Sequence, residues 1–222
     1  MGRLGWGMKG ITLKLALVVV SLAAVTVGMN SMQVGASDPD ARATLRNADG
    51  ITVGTAKLSQ EPDGVQVKIK LDAPLATLTA GFHGFHIHAN ASATGCIADP
   101  SLADSTWFTG VGGHYKDSDP GHAYHGAHNG DLPVVLVNDN GDGRGVGELA
   151  FVTNRFTVAD VIGRAFIVHN SPDNYRNIPL GTGAKQYTPN TDDVNDTTTA
   201  TGFTAATGNA GSRMACGVIQ AK

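Results

Sequence analysis

The sequence predicts an all-β fold: an eight-stranded antiparallel Greek-key sandwich or barrel carrying two long functional loops. Three observations support this. Glycine supplies 29 of 222 residues, while charged side chains (16%) and aromatics (6%) are scarce, a turn-rich composition. Short apolar runs alternate with polar residues at a period of two. No segment shows the repeat of a convincing amphipathic helix.

Taken in order, a polar lead from Ser37 runs into a first strand near Ala43–Arg46, and Val53–Leu58 forms the second. Glu61-Pro62-Asp63-Gly64 is a turn. Val65, Val67, Ile69 and Leu71 then alternate with Gln66, Lys68 and Lys70, the pattern of a half-buried strand. Phe82–His88, Val134–Val137, Glu148–Val152, Ala165–His169 and Cys216–Ile219 complete the set, with a turn over Asn138–Gly143. Residues 89–132 and 170–212 fit neither strand nor helix, and loops of that length inside one domain are functional or disordered. The first carries Cys96 and four histidines, so it is expected to be functional.

Residues 1–36 read as a signal peptide, leaving one domain over 37–222. Arg3, Lys9 and Lys14 precede an apolar run from Leu15 to Val27, and Val34-Gly35-Ala36 offers a cleavage site before Ser37. The run is short for a membrane span; an uncleaved anchor is the alternative, and only then would the chain meet a membrane. The expected location is secreted or extracytoplasmic, in the periplasm or cell envelope. The whole chain has a formal net charge of −3, and removal of 1–36, with three basic and no acidic residues, takes it to −6. An acidic chain without a basic run is no nucleic-acid binder. Cys96 and Cys216 are the only thiols. Outside the cytosol they could close one disulfide loop, the other option being two free thiols.

All eight histidines (His83, His86, His88, His114, His122, His125, His128 and His169) fall between positions 83 and 169. In a strand, His86 and His88 point to the same face about 7 Å apart, close enough to converge on one ion. His169, ending another apolar run, could add a third imidazole. His125, His128 and Asp131 lie within seven residues and can chelate an ion locally, with His114 available as a fourth ligand. The turn at Asp139–Gly143 resembles a calcium loop only superficially, because its twelfth position is Ala150 where a bidentate Glu is required.

In order along the chain stand Gly84-Phe85-His86-Ile87-His88, Gly95-Cys96, Gly112-Gly113-His114-Tyr115, His128-Asn129-Gly130-Asp131-Leu132, Ile167-Val168-His169 and the run Gly208 to Ile219. From about residue 42 onward this resembles the copper/zinc superoxide dismutase family, in its secreted bacterial branch. The resemblance implies copper and zinc as cofactors and superoxide as substrate, disproportionated to oxygen and hydrogen peroxide as copper cycles between Cu(II) and Cu(I). It implies copper ligands His86, His88, His114 and His169, with His114 as the bridge and proton carrier. The implied zinc ligands are His114, His125, His128 and Asp131, with His122 as the alternative to His125. Asp173 matches the carboxylate that ties a copper ligand to a zinc ligand, and His83 a framework histidine. Cys96 and Cys216 match the intrasubunit disulfide, and Arg213 the active-site arginine. Two departures stand out. Residues 170–212 lack a lysine-rich guiding segment, so long-range steering is expected to be weak. An insert from Ile97 to Thr109 carries Trp107 and Phe108, either as core plugs or as a subunit contact in a homodimer. A secreted copper-binding or copper-delivery module without catalysis is the alternative function.

Overall fold

The computed structural model describes residues 2, 40–92, 94–119, 125–175 and 207–222. The chain divides between Gly35 and Ala36, and the described residues from 40 onward belong to the second unit, Ala36–Lys222. The expectations for residues 1–36, His122 and most of 170–212 fall outside the described residues.

Among the described residues, the second unit is a ten-stranded antiparallel sheet curled into a nearly closed barrel. Its strands are β1 (Ala41–Arg46), β2 (Thr52–Glu61), β3 (Gly64–Pro74), β4 (Gly81–His83), β5 (Phe85–His88), β6 (Val135–Asp139), β7 (Arg144–Thr153), β8 (Ala165–His169), β9 (Arg213–Val218) and β10 (Gln220–Ala221). They run in the order β4-β6-β7-β3-β2-β1-β9-β8-β5, with β10 paired to β1. The all-β antiparallel expectation holds. Two strands are added because the run Phe82–His88 breaks at Gly84 into β4 and β5, and because Gln220–Ala221 pairs with β1. Gly84 lies where its backbone N–H donates to Ser171 O and its carbonyl accepts from His169 N. A four-residue helix, α1 (Val158–Val161), was not foreseen; Thr157 and Asp160 close it with a capping box.

Period-two patterning builds the barrel wall. β3 buries every second residue, and ten register pairs zip it to β7, from Val65↔Thr153 to Pro74↔Arg144. Inside lies one cluster that includes Leu45, Leu58, Ile69, Phe85, Ile87 and Phe166, with Phe85 and Phe166 stacked 4.9 Å apart. β8 is buried along both faces. Phe166 and Val168 face the main core, whereas Ala165 and Ile167 face a second cluster with Phe108, Val111 and Cys216. Trp107 packs against that second cluster and donates from Nε1 to Asp99 O and Leu102 O. The two insert aromatics are therefore core plugs over β8. The Cys96–Cys216 disulfide sits in the same patch, with its Cα atoms 5.4 Å apart.

Candidate metal centre

Strand geometry places the histidines. Phe85 and Ile87 fill the core, so His86 and His88 share the opposite, outward face of β5. Segments from both long loops cover that face. Single bridges pair His86 with Asp131 and His88 with His114. His169 ends β8, and a register shift in the β8–β9 ladder sets Arg213 opposite it. All these histidines are buried, as are His125, His128, Asp131 and Asp173.

Among the described residues three donor sets result, each with its ligand atoms within 4.8 Å of one another: His86, His88, His114 and His169; His114, His125, His128 and Asp131; and His86, His125 and Asp173. His114 belongs to the first two, so its ring stands between them. The sequence-predicted residues thus assemble, and His125 stands with His128 and Asp131.

Hydrogen bonds fix which nitrogen of each ring is available. His88 Nδ1 donates to Gly112 O at 2.8 Å, and His169 Nδ1 to Gly211 O at 2.9 Å. His86 Nε2 bonds Asp173 Oδ2 at 2.5 Å, while His125 Nε2 bonds the same carboxylate at 2.7 and 2.8 Å. Among the described residues, five ring nitrogens are left buried without a hydrogen-bond partner: His86 Nδ1, His88 Nε2, His114 Nε2, His169 Nε2 and His125 Nδ1. A buried imidazole nitrogen with no partner costs about 1–3 kcal/mol, so five in one place call for a ligand. A metal ion satisfies lone pairs in this way, with each ring held in its tautomer from behind.

The second set fits a tetrahedral ion. Asp131 Oδ1 lies 2.7 Å from His114 Nδ1 and 3.1 Å from His125 Nδ1, and the Asp131 carboxylate lies 3.3 Å from His128 Nδ1. The edge of a tetrahedron with 2.0–2.1 Å bonds is roughly 3.3 Å. The His125 contact also lacks hydrogen-bond geometry.

Electrostatics follow from this packing. Burial, helped by the charges of neighbouring histidines, pushes His88 and His169 well below the usual histidine value and His114 down to about 3. These rings are neutral, as metal ligands must be. Burial pushes His125 down too, but the Asp131 and Asp173 carboxylates outweigh it and hold it up at about 9. Burial also opposes ionisation of Asp131 and Asp173, yet the close contacts of His114, His125 and His128 with the former, and of His125 and His86 with the latter, hold both well below the usual carboxylate range.

His83 stands apart from the donor sets, its ring bridging His169 O (2.8 Å) and Thr79 O (2.9 Å), a framework position. Arg213 donates from its two terminal nitrogens to Phe108 O and Gly112 O, both at 2.6 Å. Gly112 O therefore holds both His88 and Arg213. The guanidinium lines a cavity of about 440 Å³ with His88, His114 and His169.

Sequence reasoning missed several supports. Arg155 donates to His128 O, Asp131 O and Gly126 O, clamping the loop that carries the second set. Tyr175, whose ring stacks on His125, accepts from Val134 N and donates to Leu132 O. Gly208, at φ +64°, lies where a Cβ would collide with Asp173 and His125; the Gly208–Gly211 run was the one available signal.

A β-barrel whose outer face joins two buried nitrogen-rich donor sets through a shared imidazole has the architecture of a dinuclear metalloprotein. The family model for copper/zinc superoxide dismutase matches residues 52–219, and the chain belongs to that family. It is 32% identical over 218 residues to the Cu-Zn superoxide dismutase of Deinococcus radiodurans, covering 92% of this chain and 97% of that one. Against the Mycolicibacterium paratuberculosis enzyme it is 35% identical over 189 residues, 84% of this chain and 76% of that one. The solved Cu/Zn superoxide dismutase of Brucella abortus superposes with a TM-score of 0.52 at 26% identity, covering 80% of this chain and 97% of that structure.

Proposed function

We propose that this protein disproportionates superoxide, converting two superoxide anions and two protons to oxygen and hydrogen peroxide. The observation that carries the reading is the set of orphaned ring nitrogens, three of whose residues (His88, His114 and His169) line a cavity together with Arg213. His86 Nδ1 with the Nε2 atoms of His88, His114 and His169 would hold copper, a four-nitrogen set suited to that metal. His114, His125, His128 and Asp131 would hold zinc. Bound copper supplies a one-electron couple, and bound zinc supplies a fixed positive charge.

The chain's own groups supply the rest. Arg213 draws the anion into the cavity, where its fork is pinned by two carbonyls. His114 Nε2, when it is not engaged by copper, would receive and release the proton the product needs, its Nδ1 side being fixed in the second donor set. Asp173 locks His86 to His125, so the two donor sets keep one geometry. A cation fixed beside the first donor set, in the cavity that leads to it, favours turnover over a copper-delivery role.

Residues 1–36 direct the chain out of the cytoplasm, and it protects the extracytoplasmic space from oxidants. The basic residues ahead of a short apolar run support export, and a disulfide fits an oxidising compartment. The deciding measurement is superoxide decay by stopped flow on protein loaded with copper and zinc. The wild type consumes superoxide, His86→Ala does not, and Arg213→Ala is slower by about tenfold or more. Full metal loading without superoxide consumption would overturn the reading.

A further inference from the structure

The cavity over His88, His114 and His169 measures about 440 Å³, far more than a diatomic anion occupies. Its walls cannot reject larger anions by size. A guanidinium fork fixed in its wall is moreover well shaped for phosphate, which it can bind bidentately.

Among the described lining residues the only carboxylate is Asp104. It begins the 3-10 turn Asp104–Thr106 within the insert that plugs the second core cluster. Its Oδ2 accepts the Ser212 hydroxyl at 2.7 Å, and Ser212, which immediately precedes Arg213, also accepts from Asn170 Nδ2. The negative charge is thus tied to the residue that precedes Arg213 and lines the same cavity as the positive one.

We propose that Asp104 is a charge filter that sets which anions reach Arg213, admitting monoanions and rejecting dianions such as hydrogenphosphate. The inference rests on the superoxide reading above and deepens it. A fixed charge raises the energy of an approaching anion in proportion to that anion's own charge. A monoanion meets the penalty once and a dianion twice. Asp104 therefore weakens attraction for superoxide modestly and for phosphate as the square of that factor. The filter compensates for a cavity too wide to sieve.

The test is anion binding to the copper- and zinc-loaded protein, read from the absorbance change as azide is titrated, with inorganic phosphate as competitor. In Asp104→Asn, azide binds about two- to threefold tighter and phosphate about four- to ninefold tighter, the second factor near the square of the first. Asp104→Ser gives the same ratio, and Asp104→Glu, which keeps the charge, leaves both affinities within about twofold of wild type. Equal factors for the two anions, or no change in either, overturn the filter even where superoxide turnover is intact. The squared ratio in a loaded protein that does not consume superoxide supports the filter and refutes the catalytic reading instead.

Discussion

Asp173 acts on two histidines at once. Its carboxylate accepts from Nε2 of His86 and of His125, so the remaining nitrogen of each ring faces its donor set. Removing such an orienting partner costs about 10- to 100-fold in metal affinity. Asp173→Ala is accordingly expected to weaken both metals by that order in chelator competition; unchanged affinities would mean the rings are held by packing alone. His125 adds a proton to the equilibrium. Its value near 9 in the absence of metal means it carries a proton at neutral pH, which zinc must displace. Zinc uptake at pH 7 is expected to release that proton, measurable from the buffer dependence of the binding enthalpy; uptake without proton release would count against His125 as a ligand. Residues of this kind were legible in the sequence because ligand chemistry restricts the side chain. His86, His88, His114, His128, Asp131 and His169 are donor types at informative spacings. Arg155 gave no such sign: it works by donating to three backbone carbonyls, a role visible only once the chain has folded.

At the level of elements, two loop segments hold the site against the barrel by different means. Residues 125–131 are clamped by Arg155. Arg155→Ala would leave the carbonyls of Gly126, His128 and Asp131 without those donors, and the loop is expected to loosen. Zinc affinity should fall by about tenfold while copper affinity changes less. Arg155→Lys should not restore it, because an ammonium cannot reproduce the fork. Equal losses of both metals would place the effect elsewhere. Residues 96–112 are clamped by the disulfide, which closes a loop with a sequence separation of 120. Chain-entropy arithmetic for a loop of that length gives roughly 4–5 kcal/mol. The same segment supplies Phe108 O and Gly112 O to Arg213. Cys96→Ser with Cys216→Ser is therefore expected to lower the melting temperature and also to weaken azide binding in the loaded protein. A fall in stability with azide affinity untouched would show that the disulfide serves the fold alone. The insert shows where sequence reasoning ran out. Trp107 and Phe108 have the composition of a contact surface, and what makes them core is the outer face of β8, a neighbour more than fifty residues away.

Across the whole molecule, the alternating strands were readable because one face of each is buried, whereas the split at Gly84 depends on hydrogen bonds to Ser171 and His169 that no local pattern encodes. The site also imposes a cost on the fold as a whole, and pH exposes it. In the unfolded chain each histidine titrates near 6.5. In metal-stripped protein His114 falls to about 3 and His88 and His169 fall well below 6.5. Between those values and 6.5 the unfolded chain binds more protons, so stability drops as pH falls below 6.5. Asp131 and Asp173 extend the loss: their depressed values give stability that is whole above the ordinary carboxylate range and lost as pH falls through it. His125 acts in the opposite sense. Raised to about 9, it contributes stability that is whole below 6.5 and disappears as pH rises through 9. Metal-stripped protein is therefore expected to be most stable near neutrality, with a steep acid limb and a shallower alkaline one. Loading both metals raises the melting temperature throughout, since ions that bind only the folded chain stabilise it by mass action. It should also abolish the alkaline limb, because His125 then faces a metal instead of carrying a proton. The acid limb persists, as protons compete with the metals for the same nitrogens. Scanning calorimetry from pH 5 to pH 9, with and without copper and zinc, reads all of this directly. An alkaline limb of equal depth in the loaded protein would mean that His125 never gives up its proton, and the second donor set would then need another fourth ligand.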